Sequence, residues 1–325
     1  MLSYAKRLDG VTGSAIRDIF SLLSSSDILS FAGGNPSPET FPQSDIARIS
    51  CQALSGSATA ILQYGATEGS VSLRESIAEH LLVPKGIQAD VSNILPLSGS
   101  SQGIDLLART ILDPGDTVLV ESPTFLGALQ IFRIAQANLV PVRMDEHGVL
   151  PDDLAGKIRQ HRPKAFYTIP TFQNPTGRTM ALERRKVVAQ VCAENGVLII
   201  EDDPYCDLRY AGNFLPPVQF FGSCENVAML NSFSKIISPG LRLGYVVGDP
   251  KLLRKLTIVK QGADTHTSNL SQALVDAFLR EGLLPAHVER IQACYRARLS
   301  AMTQGIRQFF PSDTDYSEPE GGIFA

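Results

Sequence analysis

Val227-Ala228-Met229-Leu230-Asn231-Ser232-Phe233-Ser234-Lys235 leads through a short loop into Gly240-Leu241-Arg242-Leu243-Gly244-Tyr245-Val246-Val247. The apolar stretches 227–230 and 245–247 read as buried strands on either side of a lysine. A charged amine between core strands needs a reason, because burying an unpaired charge is costly. Around Lys235 the sequence places the small hydroxyls of Ser232 and Ser234 and the guanidinium of Arg242. This combination suits a phosphorylated aldehyde: the amine bonds the carbonyl carbon, while the hydroxyls and the arginine bind the phosphate.

Outward from this stretch, short apolar runs recur at 94–97, 117–120, 139–143, 165–169, 197–200, 227–230 and 241–247. They are β-branched or leucine-rich without polar alternation, as strands covered on both faces are. Helical patterns at 102–112, 125–136, 152–160 and 182–194 lie between them. Such alternation predicts an α/β fold, with a mostly parallel seven-stranded sheet between helices. Ligands of these sheets collect beyond the carboxyl ends of the strands. The polar clusters 98–102, 121–125, 171–177, 201–205 and 232–235 all fall at such ends. A long helix is predicted over 286–310 and another helical stretch at 15–23. The chain is expected to divide into an N-terminal arm (1–40), a large domain (41–284) and a segment (285–325) that opens a smaller domain, expected to be incomplete here.

Bulk composition narrows the class. Of 325 residues 44% are hydrophobic and 19% charged, ordinary for a globular protein. The net charge of −4, from 29 basic and 33 acidic residues, is interspersed and favours neither nucleic acid nor an anionic membrane. Cys51, Cys192, Cys206, Cys224 and Cys294 show no metal-like spacing and fit a reducing compartment. No apolar signal segment opens the chain, and the uncharged stretch 49–67 is too polar to span a membrane. A cytoplasmic protein is expected.

The rim residues carry alternatives of their own. Ser98-Gly99-Ser100-Ser101-Gln102 leads from a strand into a helix, where free N–H groups attract a phosphate, or where Ser100 or Ser101 simply caps the helix. Asp202, at the tip of a buried strand, suits a metal, a base, or a cationic ring nitrogen. Metal is disfavoured because His80, His147, His161, His266 and His287 form no ligand grouping. Only His266 is expected near the rim. Asn174-Pro175-Thr176-Gly177 is a turn, or a loop presenting Asn174 to a phenolic oxygen that Tyr205 also reaches. Phe125 is a stacking partner for a ring, or a core aromatic.

Taken together, these motifs resemble the fold-type I pyridoxal-phosphate aminotransferases, closest to the kynurenine/2-aminoadipate aminotransferase group. The resemblance rests on SGSSQG at 98–103, ESPTF at 121–125, NPTG at 174–177, EDDPY at 201–205 and SFSKIISPGLRLGY at 232–245. SAIRDIF at 14–20, FAGGNPSPETFP at 31–42 and LQYGATEGSVSLRESI at 62–77 extend it over essentially the whole chain.

The resemblance implies pyridoxal 5'-phosphate as cofactor and gives each residue a role. Lys235 is then the lysine bonded to the cofactor and the proton shuttle. Asp202 pairs with the pyridine nitrogen, and Asn174 and Tyr205 with the phenolic oxygen. Ser100, Ser101, Ser232, Ser234 and Arg242 bind the phosphate, and Phe125 stacks on the ring. Tyr64 crosses to the neighbouring site of a homodimer, and Arg17 and Gly34 line the substrate pocket. The implied reaction moves an amino group from 2-aminoadipate, an aromatic or a branched-chain amino acid to a 2-oxo acid such as 2-oxoglutarate.

There are departures from the family pattern. Position 125 is Phe where many members have Tyr, and position 101 is Ser where Gln is common. The pattern also continues past Ala325 to an arginine that holds the substrate α-carboxylate, so a C-terminally truncated chain is expected. Loss of that contact costs substrate binding about 1.5–3 kcal/mol. Rival readings are the effector domain of a transcription regulator on the same scaffold, and a lyase or decarboxylase using the same cofactor.

Overall fold

The structure is a computed structural model that describes residues 2–11, 33–56 and 58–325. The helical stretch expected at 15–23 lies outside the described residues. The framework is an eight-stranded sheet with the order β1-β8-β7-β6-β5-β2-β3-β4. Its strands are β1 (Ile94–Leu97), β2 (Thr117–Ser122), β3 (Asn138–Asp145), β4 (Gly148–Val149), β5 (Ala165–Thr168), β6 (Leu198–Asp202), β7 (Val227–Ser232) and β8 (Gly244–Val247).

Every apolar run read from the sequence contains a strand, although 241–243 of the last run precede β8. The sheet exceeds the expected seven strands by β4, a two-residue strand paired antiparallel with the end of β3. Its turn is closed by Asp145, whose Oδ1 accepts the His147 N–H at 2.8 Å, an Asx turn. A strand of two residues leaves no periodic signal in a sequence.

β3, β2, β5, β6 and β7 pair in parallel. β8 runs against both β7 and β1. Connectivity explains the reversal. The parallel neighbours are joined by α-helices or, between β6 and β7, by the long connection 203–226, whereas only turns and a short 3-10 segment, Pro239–Leu241, separate β7 from β8. A parallel return needs a longer crossover.

Successive side chains of the central strands enter different cores, the signature of a sheet covered on both faces. Val118, Val120, Tyr167 and Ile200 pack in one apolar cluster, and Leu119, Phe166 and Ile199 in the other. The first cluster takes Ile104 and Leu107 of α4 (Ser100–Ile111), Phe132 of α5 (Leu126–Ile134), Leu256 of α8 (Pro250–Asp264) and Phe278 of α9 (Asn269–Arg280). The second takes Leu154 of α6 (Pro151–His161) and Val188 and Cys192 of α7 (Leu182–Glu194). Before them come α1 (Gln43–Gly56), α2 (Ala58–Leu62) and α3 (Val71–Ile77).

After them, α10 (Leu284–Phe309) starts two residues before its expected position, with Pro285 in its first turn, where a missing N–H costs nothing. The segment after α10 returns to the rim. Gly322 N–H donates to Leu208 O at 2.8 Å and Tyr210 N–H to Glu320 O at 2.7 Å.

Candidate active site

Strand register gathers the site. Gly244, the first residue of β8, lies opposite Leu97 at the end of β1 and Ser232 at the end of β7. The reversed strand thereby brings Arg242 to the rim where β1, β6 and β7 deliver their carboxyl-end loops. The approach is close: a Cβ on Gly244 would sit 2.7 Å from Asn231 O and 3.0 Å from Ser100 N.

A cluster of donors forms a cradle around that approach. The residue before α4 is Gly99 (φ 91), which makes no side-chain capping bond. Ser100 and Ser101 are therefore the first helical residues, and the capping role open to them in the sequence is not what they perform. Their N–H groups belong to the free donors of a helix start, where the dipole favours an anion. A Cβ on Gly99 would stand 2.5 Å from Arg242 Nη2, so the guanidinium lies directly over the glycine. Across the cradle, Ser232 and Ser234 are buried, and Ser234 N–H donates to Ser232 Oγ at 3.2 Å.

Lys235 occupies the turn after β7, between fully buried Phe233 and nearly buried Ile236 and Ile237. Its Nζ donates to Gly34 O at 3.0 Å and stands 5.9 Å from the centre of the Tyr205 ring. Burial, reinforced by the Arg242 charge, lowers its pKa from 10.5 to about 8, against the opposing pull of Asp202. Asp202 ends β6 at 4% exposure. Its Oδ2 accepts a hydrogen bond from the Tyr167 hydroxyl at 2.8 Å, while its buried Oδ1 has no partner. Burial and the neighbouring Asp203 raise its pKa to about 7.

Tyr205 is buried, and its hydroxyl is raised above the usual phenol range by burial and Asp202, an effect opposed by a hydrogen bond with the Asn174 side chain. Burial thus keeps the phenol a proton donor. Phe125 precedes α5, half-buried, with its ring folded over Gly127.

The structure adds residues that sequence reasoning did not single out. Tyr167 lies in a buried apolar run on β5; a hydroxyl that deep must find a polar partner, which was the available clue. Glu121, at 2% exposure, accepts from Thr168 Oγ1 at 2.5 Å, Ile169 N at 3.2 Å and Gln173 Nε2 at 3.1 Å. Desolvation raises its pKa to about 7 despite those donors. Arg185 of α7 is fully buried and reaches Met180 O, Pro170 O, Thr171 Oγ1 and Pro216 O at 2.9–3.0 Å. It pins the loop that presents Asn174.

Gly34 (φ 55) meets the site through its carbonyl, and a Cβ there would lie 2.6 Å from the Phe324 ring. Tyr64 is 81% exposed and meets His266 edge-on at 5.9 Å. His266 adjoins Thr267, whose Oγ1 donates to Pro96 O at 3.3 Å, so it does lie by the rim. Arg17 lies outside the described residues. Among those residues, no helix is long and apolar enough to cross a membrane.

Residues 24–325 match the family model described as aminotransferase class I and II. The chain is 37% identical to an aromatic-amino-acid aminotransferase of Thermococcus litoralis, over 99% of its own length and 78% of that protein. It is also 37% identical to a 2-aminoadipate transaminase of Thermus thermophilus, over 99% of this chain and 80% of the relative. A crystal structure of a kynurenine aminotransferase from Pyrococcus horikoshii superposes with a TM-score of 0.93 at 37% identity, covering 98% of this chain and 80% of that one. The chain belongs to the class I and II aminotransferases. Within them it is a fold-type I pyridoxal-phosphate aminotransferase closely related to the kynurenine/2-aminoadipate aminotransferases, and shorter than those relatives.

Proposed function

We propose that the rim holds pyridoxal 5'-phosphate and transfers an amino group from a 2-aminoadipate, aromatic or branched-chain amino acid to a 2-oxo acid of the 2-oxoglutarate type. The observation that carries this reading is Asp202 Oδ1, a buried carboxylate oxygen without a partner, on the residue that also interacts electrostatically with Lys235. An orphaned buried carboxylate is expensive, and a protonated ring nitrogen would satisfy it. The donor set fits the rest of the group. Ser100, Ser101, Ser232, Ser234 and Arg242 suit a phosphate dianion, Asn174 and Tyr205 a phenolic oxygen, and Phe125 a ring face.

Bound there, the cofactor supplies an electron sink for the substrate's α-carbon. The protein handles protons and position. Lys235 Nζ, brought down to about 8, has a neutral fraction able to take the α-proton and return it one position along. Asp202 keeps the ring nitrogen protonated, with Tyr167 orienting the carboxylate. Arg17 and Gly34 are assigned to the substrate side chain. Residues 41–284 form the cofactor domain in this reading, with 1–40 and 285–325 contributing to the smaller one. The active unit is a homodimer in which Tyr64 serves the neighbouring site, as its exposure permits.

The test is an absorbance spectrum with added pyridoxal phosphate, followed by a half-reaction against 2-aminoadipate, kynurenine, leucine and aromatic amino acids. A visible band that shifts with one of these substrates, and is lost in Lys235→Ala, is expected. A band that survives Lys235→Ala overturns the assignment.

A further inference from the structure

Beside the cradle lies a charged cluster to which no role has been given. Asp264, the last residue of α8, accepts from Ser98 Oγ at 2.8 Å and Gln102 Nε2 at 2.7 Å, both on Oδ2. Lys260, one turn earlier and with no exposed side-chain surface, donates to the same carboxylate at 2.7 and 2.8 Å. Gln102 closes the ring by accepting the Ser98 N–H at 2.8 Å. Arg242 Nη2 meets Ser98 O at 3.4 Å. Ser98 is thus held at its amide, its hydroxyl and its carbonyl, immediately before Gly99.

We infer that Asp264 is a positioning residue for the phosphate cradle: through Ser98 and Gln102 it sets the direction in which the first N–H groups of α4 point. The inference rests on the reading above that a phosphate binds there.

The physical case has two parts. Gly99 adopts φ 91 and has no side chain of its own to fix it, so the peptides around it are the softest part of the cradle. Contacts to a charged acceptor are the stronger kind of hydrogen bond, and they fall on Ser98, just before Gly99, and on Gln102, in the first turn of α4 after it. The second part is charge. A bare carboxylate so near would repel a dianion, and the buried Lys260 ammonium neutralises it. The clamp is anchored further out: Thr267 Oγ1 donates to Pro96 O, and Gln272 Nε2 donates to Thr267 O at 2.8 Å.

The test compares dissociation constants for pyridoxal phosphate and for pyridoxal, which lacks the phosphate, in the wild type, Asp264→Asn and Gln102→Leu. The inference expects each substitution to weaken pyridoxal phosphate binding tenfold or more and pyridoxal binding less than twofold. The double variant should lose no more than either single one, because both act through the same bridge. Gln102→Leu leaves no buried charge unpaired, so it carries the test should Asp264→Asn not fold. Equal losses for both ligands, or none, would show a merely structural contact and overturn the inference while the proposed function stands. A wild type that binds pyridoxal phosphate no better than pyridoxal would sink the reading of the site, and this inference with it.

Discussion

At the scale of single residues, the site is a set of acids and one amine displaced from their ordinary charge states. Asp202 rises from 3.8 to about 7 and Glu121 from 4.5 to about 7, both chiefly through burial, and Glu201 is raised by burial and Asp203. Each therefore binds a proton more tightly folded than unfolded. Stability from these groups is complete below their unfolded pKa values and is lost as pH climbs through the folded ones. We expect the Tm of the cofactor-free protein to fall between pH 5 and pH 8. Asp202→Asn, which can still accept from Tyr167, should flatten part of that slope and raise Tm at pH 8. A profile flat across the interval in the wild type would contradict this account.

At the scale of elements, the site depends on how loops are tied to the sheet. The 170–180 loop is closed on itself by Gln173 N–H to Arg178 O at 2.8 Å and Met180 N–H to Pro170 O at 2.7 Å, and Arg185 ties it to α7 by reaching three carbonyls and one hydroxyl. Lysine keeps the charge but not the planar fork. Arg185→Lys is expected to cost about 2 kcal/mol or more in urea unfolding, since hydrogen bonds to charged groups contribute about 1.5–3 kcal/mol each. Cofactor affinity should fall with it through Asn174. Unchanged stability would show that the loop holds its shape unaided.

For the whole molecule, the proposed dimer makes a sharp statement about which chain completes which site. Tyr64 and Leu62 are 81% and 72% exposed, more than a lone chain gains from. Mixing Tyr64→Ala chains with Lys235→Ala chains should restore activity, because a mixed dimer contains one site with both residues intact. If Tyr64 acted within its own chain, no combination would contain such a site and the mixture would stay inactive.

Much was legible in the residues alone. Apolar runs without alternation announced buried parallel strands, and polar clusters at their ends announced the rim, because strand and loop chemistry are local. Lys235, Asp202 and Arg242 stood out because charged groups beside core segments are rare enough to need explanation. Ser100 and Ser101 were ambiguous between cap and cradle, and Gly99 at the N-cap position removes only the capping reading. Glu121, Arg185 and Asp264 were silent, since each meets partners distant in the chain and carries no spacing that reveals them, and Tyr167 offered only a hydroxyl in a buried run. Local patterning could thus establish the strands, the order of the polar clusters along the chain and the candidate amine. Tertiary structure alone decided that Asp202, the acid electrostatically linked to Lys235, keeps a free oxygen, which arginine held a loop, and what stood behind the Gly99 turn. Those facts depend on desolvation and long-range contact, and neither exists until the chain has packed.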